Sequence, residues 1–279
     1  VHGCPTAKLG SRDTGGMNVY IRQVAQELSE RGIYVDIFTR CHDPNDPQVV
    51  SLGERARVIH IEAGHFSDEK QRLPGHLPKF VCNLLDYTIE EGLSYDMIHS
   101  HYWLSGRVGI ILARRWGLPH VASFHTLAEI KLRARVGERE TDERARGERK
   151  VIGSADRVVV FSQHEREAMV RLYGADDSKI EIVPGGVDAQ LFRPLDRRSA
   201  KESLGLEDKQ VVLFVGRIEP LKGVDILLQA VAQLEQQDSV QALIVGGDPD
   251  GDDELGNLES MSQALGISSR VSFLGRVEQ

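Results

Sequence analysis

The chain has little cysteine. Cys4, Cys41 and Cys82 are odd in number, far apart and without a CxxC spacing. That excludes a disulfide framework and a thiolate zinc site, and makes a reducing cytoplasm the expected location. Long apolar runs are missing too. No stretch approaches the ~20 residues a membrane helix needs, so no membrane span is expected. Positive charge is in deficit: 34 Lys and Arg stand against 42 Asp and Glu, a net charge of −8. Whole-chain attraction to nucleic acid or an anionic membrane is therefore not expected, although a local basic groove can still hold phosphate. No GxGxxG fingerprint is present, which disfavours a nicotinamide dehydrogenase. The acidic segment Asp248 to Glu254 lacks the twelve-residue calcium-loop pattern with its closing Glu and reads as a polar surface loop.

What is present is ordinary globular composition, 41% hydrophobic and 27% charged, in a strict alternation of strand-like and helix-like patterns. Tyr34 to Thr39, Val58 to Ile61, Met97 to Ser100, Val121 to Phe124, Val158 to Phe161 and Ile180 to Val183 read as short strands. Many are rich in Val and Ile, as strands buried on both faces are. Between them, Ile21, Val24, Ala25 and Leu28 show helical spacing. After Pro184 the alternation restarts, with strands at 211–215, 241–246 and 270–274 and helices at 223–235 and 254–265. This predicts two doubly wound α/β units, 1–192 and 193–279, with the polar stretch Arg193 to Glu207 as linker. The chain starts with Val1 rather than Met and stops just after Phe273-Leu274-Gly275. A truncated sequence with an incomplete second unit is therefore expected. Leu132 to Lys150 is crowded with charge and reads as a solvated helix start.

Four stretches carry candidate chemistry. The first is Val215-Gly216-Arg217-Ile218-Glu219-Pro220-Leu221-Lys222-Gly223, which follows the strand residues Val211 to Phe214 and precedes an amphipathic helix. Ligands in open α/β sheets bind at strand carboxyl ends, and helix N-termini attract phosphate. Two cations five residues apart suit a diphosphate there; a surface turn with two solvated cations is the alternative. The second is Asp13-Thr14-Gly15-Gly16-Met17-Asn18, which follows an expected first strand at Val1 to Gly3. Paired glycines opening a helix let backbone N–H groups approach an anion, and Asn18 adds an amide. A plain glycine-rich helix cap is the alternative. The third is His99 to Gly106, HSHYWLSG. His99 and His101 fall on one strand face, yet no carboxylate or third histidine is spaced to complete a metal site, so none is expected; Tyr102 is the better ligand-binding candidate. The fourth is Phe124-His125-Thr126, closing another strand. His125 can donate to a sugar hydroxyl or a leaving phosphate, and Thr126 can bond an acceptor oxygen. A core histidine and a helix cap are their alternatives.

GGMN, HSHYWLSG, HTLAEIK and VGRIEPLKG occur in this order and at family-like spacing. Together they resemble the retaining group 1 (GT4-like) glycosyltransferases of GT-B fold, and within them the branch of D-inositol 3-phosphate glycosyltransferases of mycothiol biosynthesis. The resemblance runs through essentially the whole chain. It implies a hexosyltransferase moving a sugar, N-acetylglucosamine, from a UDP-sugar to a phosphorylated polyol such as 1D-myo-inositol 3-phosphate. The UDP-sugar is a co-substrate and no cofactor is implied. By position, Asp13, Thr14, Gly15, Gly16, Met17 and Asn18 match the acceptor loop, with Gly16 also at the donor. Lys70, Tyr102, Thr126 and Arg144 match the acceptor-phosphate cluster. His2, Arg217 and Lys222 match donor contacts, and His125, Arg217 and Lys222 are the expected catalytic groups.

Gly185-Gly186-Val187-Asp188 departs from the family's Pro-Gly-Ala-Asp, and the paired glutamates that grip the donor's ribose and sugar would lie beyond Gln279. Family enzymes are thought to substitute at the front face, the donor phosphate taking the acceptor's proton. Expected partners are the UDP-sugar and a phosphorylated small molecule, with a homodimer left open. Other readings are a transferase of the sucrose-phosphate-synthase type, a sugar-nucleotide 2-epimerase, and an inactive nucleotide-sugar-binding module.

Overall fold

A computed structural model describes residues 3–7, 15–134, 140–234, 239–247 and 253–277. The chain separates into two compact units, Val1–Gly186 and Val187–Gln279. In the first, the elements run α1 (Gly16–Glu30), β1 (Val35–Arg40), β2 (Val49–Ser51), β3 (Ala56–Ile61), α2 (Leu73–Glu90), β4 (Ile98–His101), α3 (Tyr102–Trp116), β5 (His120–Ser123), α4 (Ala128–Ala134), α5 (Asp142–Ser154), β6 (Arg157–Val160), α6 (Gln163–Ala168), a π-helical turn (Met169–Tyr173) and β7 (Ile180–Ile182). The second holds α7 (Arg197–Glu202), β8 (Gln210–Val215), a 3-10 turn (Pro220–Lys222), α8 (Val224–Ala232), β9 (Val240–Val245), α9 (Asp253–Ala264) and β10 (Val271–Gly275).

Among the described strands, all but one are parallel to their neighbours. In the first unit they form the orders β1-β3-β2 and β4-β5-β6-β7, and in the second β10-β9-β8. The exception is β2, three residues pairing antiparallel with β3. The sequence reading did not contain this strand, because Val49-Val50-Ser51 is too short and too exposed to carry a period. The segment read as a linker holds α7, whose N-cap Asp196 accepts from Ser199 N. Of the expected first strand, Val1 and His2 lie outside the described residues; Gly3 has no strand conformation, and its carbonyl accepts from Thr39 Oγ1 at 2.9 Å.

One core gathers Ile59, Phe80, Leu84, Leu104, Phe124, Val158 and Met169 around the first unit's sheets, and a smaller one gathers Val224, Leu228, Ile244 and Ile267 in the second. Side chains fully withdrawn from water in this way supply the main folding drive, ~25 cal/mol per Å² of apolar surface. Two glycines bring α3 and α5 together. A Cβ on Gly106 would lie 2.6 Å from Val151 Cγ1, and one on Gly147 would lie 2.5 Å from the Trp103 ring. This close approach holds α5 against α3, and Arg144 in the first turn of α5 lies over the ring of Tyr102 in the first turn of α3.

Candidate active site

Strands β4 and β5 end in a histidine cluster. His99 Nε2 meets Ser123 Oγ at 2.9 Å, and Ser100 Oγ meets His120 Nε2 at 2.7 Å. His101 Nδ1 meets His125 Nε2 at 3.0 Å, so one ring donates and the other accepts. Tyr20 stands edge-on to His101, His125 and Phe161. Burial, and then the neighbouring histidines, push His99 and His125 down to about 4 and His101 well below the ordinary imidazole range. At neutral pH the cluster is therefore uncharged, and His125 works as a neutral hydrogen-bonding group. Among the described residues, no group of three or more His, Cys, Asp or Glu is placed to hold a metal ion.

Tyr102 and His125 are the described non-glycine residues with positive φ, 75° and 62°. Each sits just past a strand's carboxyl end. Left-handed backbone on such residues costs of order 1–3 kcal/mol, and its concentration here marks a site whose surroundings hold it in place.

Around Tyr102 the structure assembles three residues that are far apart in sequence. Lys70 Nζ lies over the Tyr102 ring at 5.0 Å from its centroid, and Arg144 Cζ lies over it at 4.9 Å. Arg144 Nη2 donates to both the carbonyl and the hydroxyl oxygen of Thr126 at 3.0 Å. Lys70 opens the 3-10 turn ahead of α2. The loop before it is tied down by Arg40, which donates to the carbonyls of His65 and Phe66, and by the 2.8 Å contact of His76 with Asp68.

Arg144 corrects the reading of Leu132 to Lys150 as solvated. It is 5% exposed and Glu148 is 0% exposed. Glu148 accepts from Arg144 Nε at 2.8 Å, from Ala128 N at 3.0 Å and from Tyr173 OH at 2.5 Å. Tyr173 OH in turn accepts from Glu129 N. Burial raises the Glu148 pKa against these three donors, all of which a carboxylate accepts. Burial also works to lower the Arg144 pKa, but Tyr102, Glu148 and Glu140 outweigh it and the net shift is upward. Glu148 and Tyr173 were not singled out in the sequence. The i, i+4 spacing of Arg144 and Glu148 was visible, but not that both are buried.

The glycine pair opens α1. Gly15 is its N-cap and Gly16 its first residue, exposed at the surface. Met17 packs against the core of the first unit, which makes its side chain part of the scaffold. Asn18 is 2% exposed and its Nδ2 has no partner. A buried donor without a partner is costly and marks a point where an external acceptor gains. His2, Asp13 and Thr14 lie outside the described residues.

In the second unit, Arg217 and Lys222 stand past the carboxyl end of β8. Arg217 is 53% exposed and pairs with Glu219 at 2.6 Å. Lys222 closes the 3-10 turn, and Gly223 at φ 68° is at once the cap of that turn and of α8. The sheet end beside them is bare backbone. Gly216 N donates to Val245 O, and Gly246 N to Gly275 O. A Cβ on Gly246 would lie 1.8 Å from Gly216 O. Gly246 and Gly247 were not among the sequence candidates, although paired glycines after the apolar run Ala242 to Val245 are a usable signal.

Parallel α/β units carrying cations and open glycines at their strand carboxyl ends are a plan for binding phosphorylated ligands, and the solved structures the chain resembles make its fold that of the GT-B glycosyltransferase class. The family models are specific: residues 15–186 match the Glycosyl transferase 4-like domain and residues 196–279 match Glycosyl transferases group 1. The chain belongs to the group 1 glycosyltransferase family. It is 44% identical over 283 residues to D-inositol 3-phosphate glycosyltransferase of Mycobacterium sp. (strain KMS), covering 98% of this chain and 63% of that protein. It is 41% identical to D-inositol 3-phosphate glycosyltransferase 2 of Catenulispora acidiphila, covering 100% of this chain and 68% of that one. Among solved structures, sucrose-phosphate synthase from Thermosynechococcus elongatus superimposes with a TM-score of 0.88 at 34% identity, over 100% of this chain and 69% of that one. The chain thus spans about 63% of the length of the first curated relatives it matches. No described helix is long and apolar enough to cross a membrane.

Proposed function

We propose that the protein is a retaining glycosyltransferase that moves N-acetylglucosamine from a UDP-sugar to a phosphorylated polyol, 1D-myo-inositol 3-phosphate. The observation that carries the reading is the convergence of Lys70, Tyr102, Thr126 and Arg144. Two cations, a phenol and a hydroxyl form a cage for a phosphomonoester, because charge-assisted hydrogen bonds are the strong ones. The names of the relatives at 34% identity and above point the same way, since each carries a phosphorylated small molecule.

In this reading the first unit takes the acceptor through that cage and through Asn18, whose unpartnered Nδ2 waits for an oxygen. The second unit takes the donor diphosphate against Arg217, Lys222 and the backbone at Gly216 and Gly246. The bond from the sugar's anomeric carbon to the diphosphate breaks, and a bond from that carbon to the acceptor hydroxyl oxygen forms on the same face. The hydroxyl's proton goes to the departing phosphate. The protein's part is positioning and stabilisation of the charge that develops on the leaving group. His125, kept neutral, donates one hydrogen bond and takes no net proton.

The test compares inositol 3-phosphate, unphosphorylated inositol and fructose 6-phosphate as acceptors in the wild type and in Arg144→Ala. The reading expects use of inositol 3-phosphate, rejection of inositol, and loss of that preference in the variant. Equal use of the two inositols by the wild type would overturn it. The likeness to sucrose-phosphate synthase favours a second reading, in which fructose 6-phosphate is the acceptor used.

A further inference from the structure

Two carboxylates share the Arg144 guanidinium, and they are held in different ways. Glu148 is fully buried and uses both oxygens, accepting from the backbone of Ala128, from the Tyr173 hydroxyl and from Arg144 Nε. Its partners lie on α4, α5 and the π-helical turn that presents Tyr173. A group fixed from three elements cannot leave without unfolding its surroundings. Glu140 is different. Its side chain is 13% exposed, and the contacts that hold it are cationic side chains meeting one oxygen: Arg144 Nη1 at 2.8 Å and Lys131 Nζ at 3.1 Å to the same Oε1.

The guanidinium's donors can be counted. Nε goes to Glu148, both hydrogens of Nη2 go to Thr126, and one of the two hydrogens of Nη1 goes to Glu140. The fifth donor is on that same Nη1, so an incoming phosphate that is to pair with Arg144 as an ion meets the edge that Glu140 already holds. A carboxylate bound through one oxygen offers less to two cations than a phosphomonoester with three. Lys70, over the same Tyr102 ring, adds attraction that the phosphate gains and Glu140 does not show.

We propose that Glu140 is the resident anion of the acceptor-phosphate site, neutralising Arg144 and Lys131 until a phosphomonoester displaces it. This rests on the reading that Arg144 holds the acceptor's phosphate. Displacement taxes affinity by the fraction of time the site is occupied, so ligand binding competes with Glu140. In return, weak anions that cannot outcompete the carboxylate are refused, which makes Glu140 a specificity-determining residue. Glu148, by contrast, positions the guanidinium in both states.

The experiment measures binding of inorganic phosphate, and the KM for inositol 3-phosphate, in the full-length wild-type protein and in Glu140→Gln, Glu148→Gln and Arg144→Ala. Glu140→Gln keeps the shape and removes the charge. It is expected to tighten phosphate binding and lower that KM by about three- to tenfold, the range for removing a mostly shielded ion-pair partner. The variant is also expected to accept inorganic phosphate as an inhibitor at lower concentration. Glu148→Gln is expected to raise the same KM. A purely structural role for Glu140 predicts weakening in both variants, and that result, or no change in Glu140→Gln, overturns the inference while leaving the phosphate cage standing. If Arg144→Ala leaves phosphate binding and acceptor preference unchanged, the cage itself is wrong and the inference falls with it.

Discussion

The two proposed anion sites both draw on the carboxyl ends of parallel strands, Tyr102 and Thr126 past β4 and β5 in one and Arg217 and Lys222 past β8 in the other, yet they are built in opposite ways. In the first unit the cations come from separate elements, Lys70 ahead of α2 and Arg144 on α5, and Arg144 is buried on a fully buried carboxylate. In the second unit Arg217 and Lys222 come from one nine-residue stretch and stand exposed, beside a sheet end of glycine backbone at Gly216 and Gly246. The composition of the units follows the same divide. All ten histidines, all six tyrosines and both tryptophans lie in the first unit. On the proposed function, the lesson is that a preorganised polar cage needs tertiary packing to hold it, whereas a diphosphate grip can be written in a single loop.

The comparison breaks most visibly at Arg144. Replacing it by Ala strands Glu148, whose side chain has no exposure. The loss in unfolding free energy is expected to be about 3–5 kcal/mol, the usual result of removing one partner of a buried ion pair. Denaturant titration followed by tryptophan fluorescence reads this directly, since Trp103 and Trp116 both report the first unit. A loss below ~1 kcal/mol would make the buried pair no stronger than a surface one.

Lys222→Ala is the counterpart in the second unit. Because Lys222 is exposed, its removal is expected to leave the melting temperature unchanged. Turnover in the full-length protein should fall by ~100-fold or more, about 2.7 kcal/mol, the scale for losing a group that stabilises a developing anion. Near-normal turnover would remove Lys222 from the donor site.

Acid should separate the two units. His99, His125 and His42 are held down to about 4 by burial, and burial also holds His101 well below the ordinary imidazole range. The unfolded chain therefore takes up protons first as pH drops below about 6.5. The stability these groups contribute is fully present above that pH and is lost progressively as pH falls toward about 4. The second unit has no histidine and should not share this loss. Melting curves at pH 7, 6 and 5 by tryptophan fluorescence should shift downward. A pH-independent fluorescence transition over that range would show that the cluster is not buried as described.

The smallest effect is expected at Glu219, which pairs with a half-exposed Arg217. Glu219→Gln should cost at most ~1 kcal/mol, and less at high salt. Run beside Glu148→Gln, it compares one charge removal in the two environments, and similar losses would erase the distinction between the two sites.

Much of the architecture was legible in the sequence. The apolar runs at 58–61, 158–161, 211–215 and 241–246 became β3, β6, β8 and β9 with ends shifted by a residue or two, because a strand buried on both faces needs a run of Val, Ile and Leu whatever surrounds it. The cations of VGRIEPLKG were legible for a similar reason. Strand, turn, cap and helix follow one another in the chain, so the position of Arg217 and Lys222 is a local property.

The cage was not legible from local pattern. Lys70, Tyr102, Thr126 and Arg144 were joined only by resemblance, since no spacing relates residues 70 and 144. Glu148 and Tyr173 were not site candidates because a charged helix face looks the same whether water or a partner 25 residues away satisfies it. The chain by itself determined the alternation of strands and helices, the two units and the loop that offers two cations past a strand, all of which depend on interactions between near neighbours. Tertiary structure alone decided which charges are buried, which histidines stay neutral and which cations share the Tyr102 ring. Those depend on desolvation and on hydrogen-bond partners that only packing supplies.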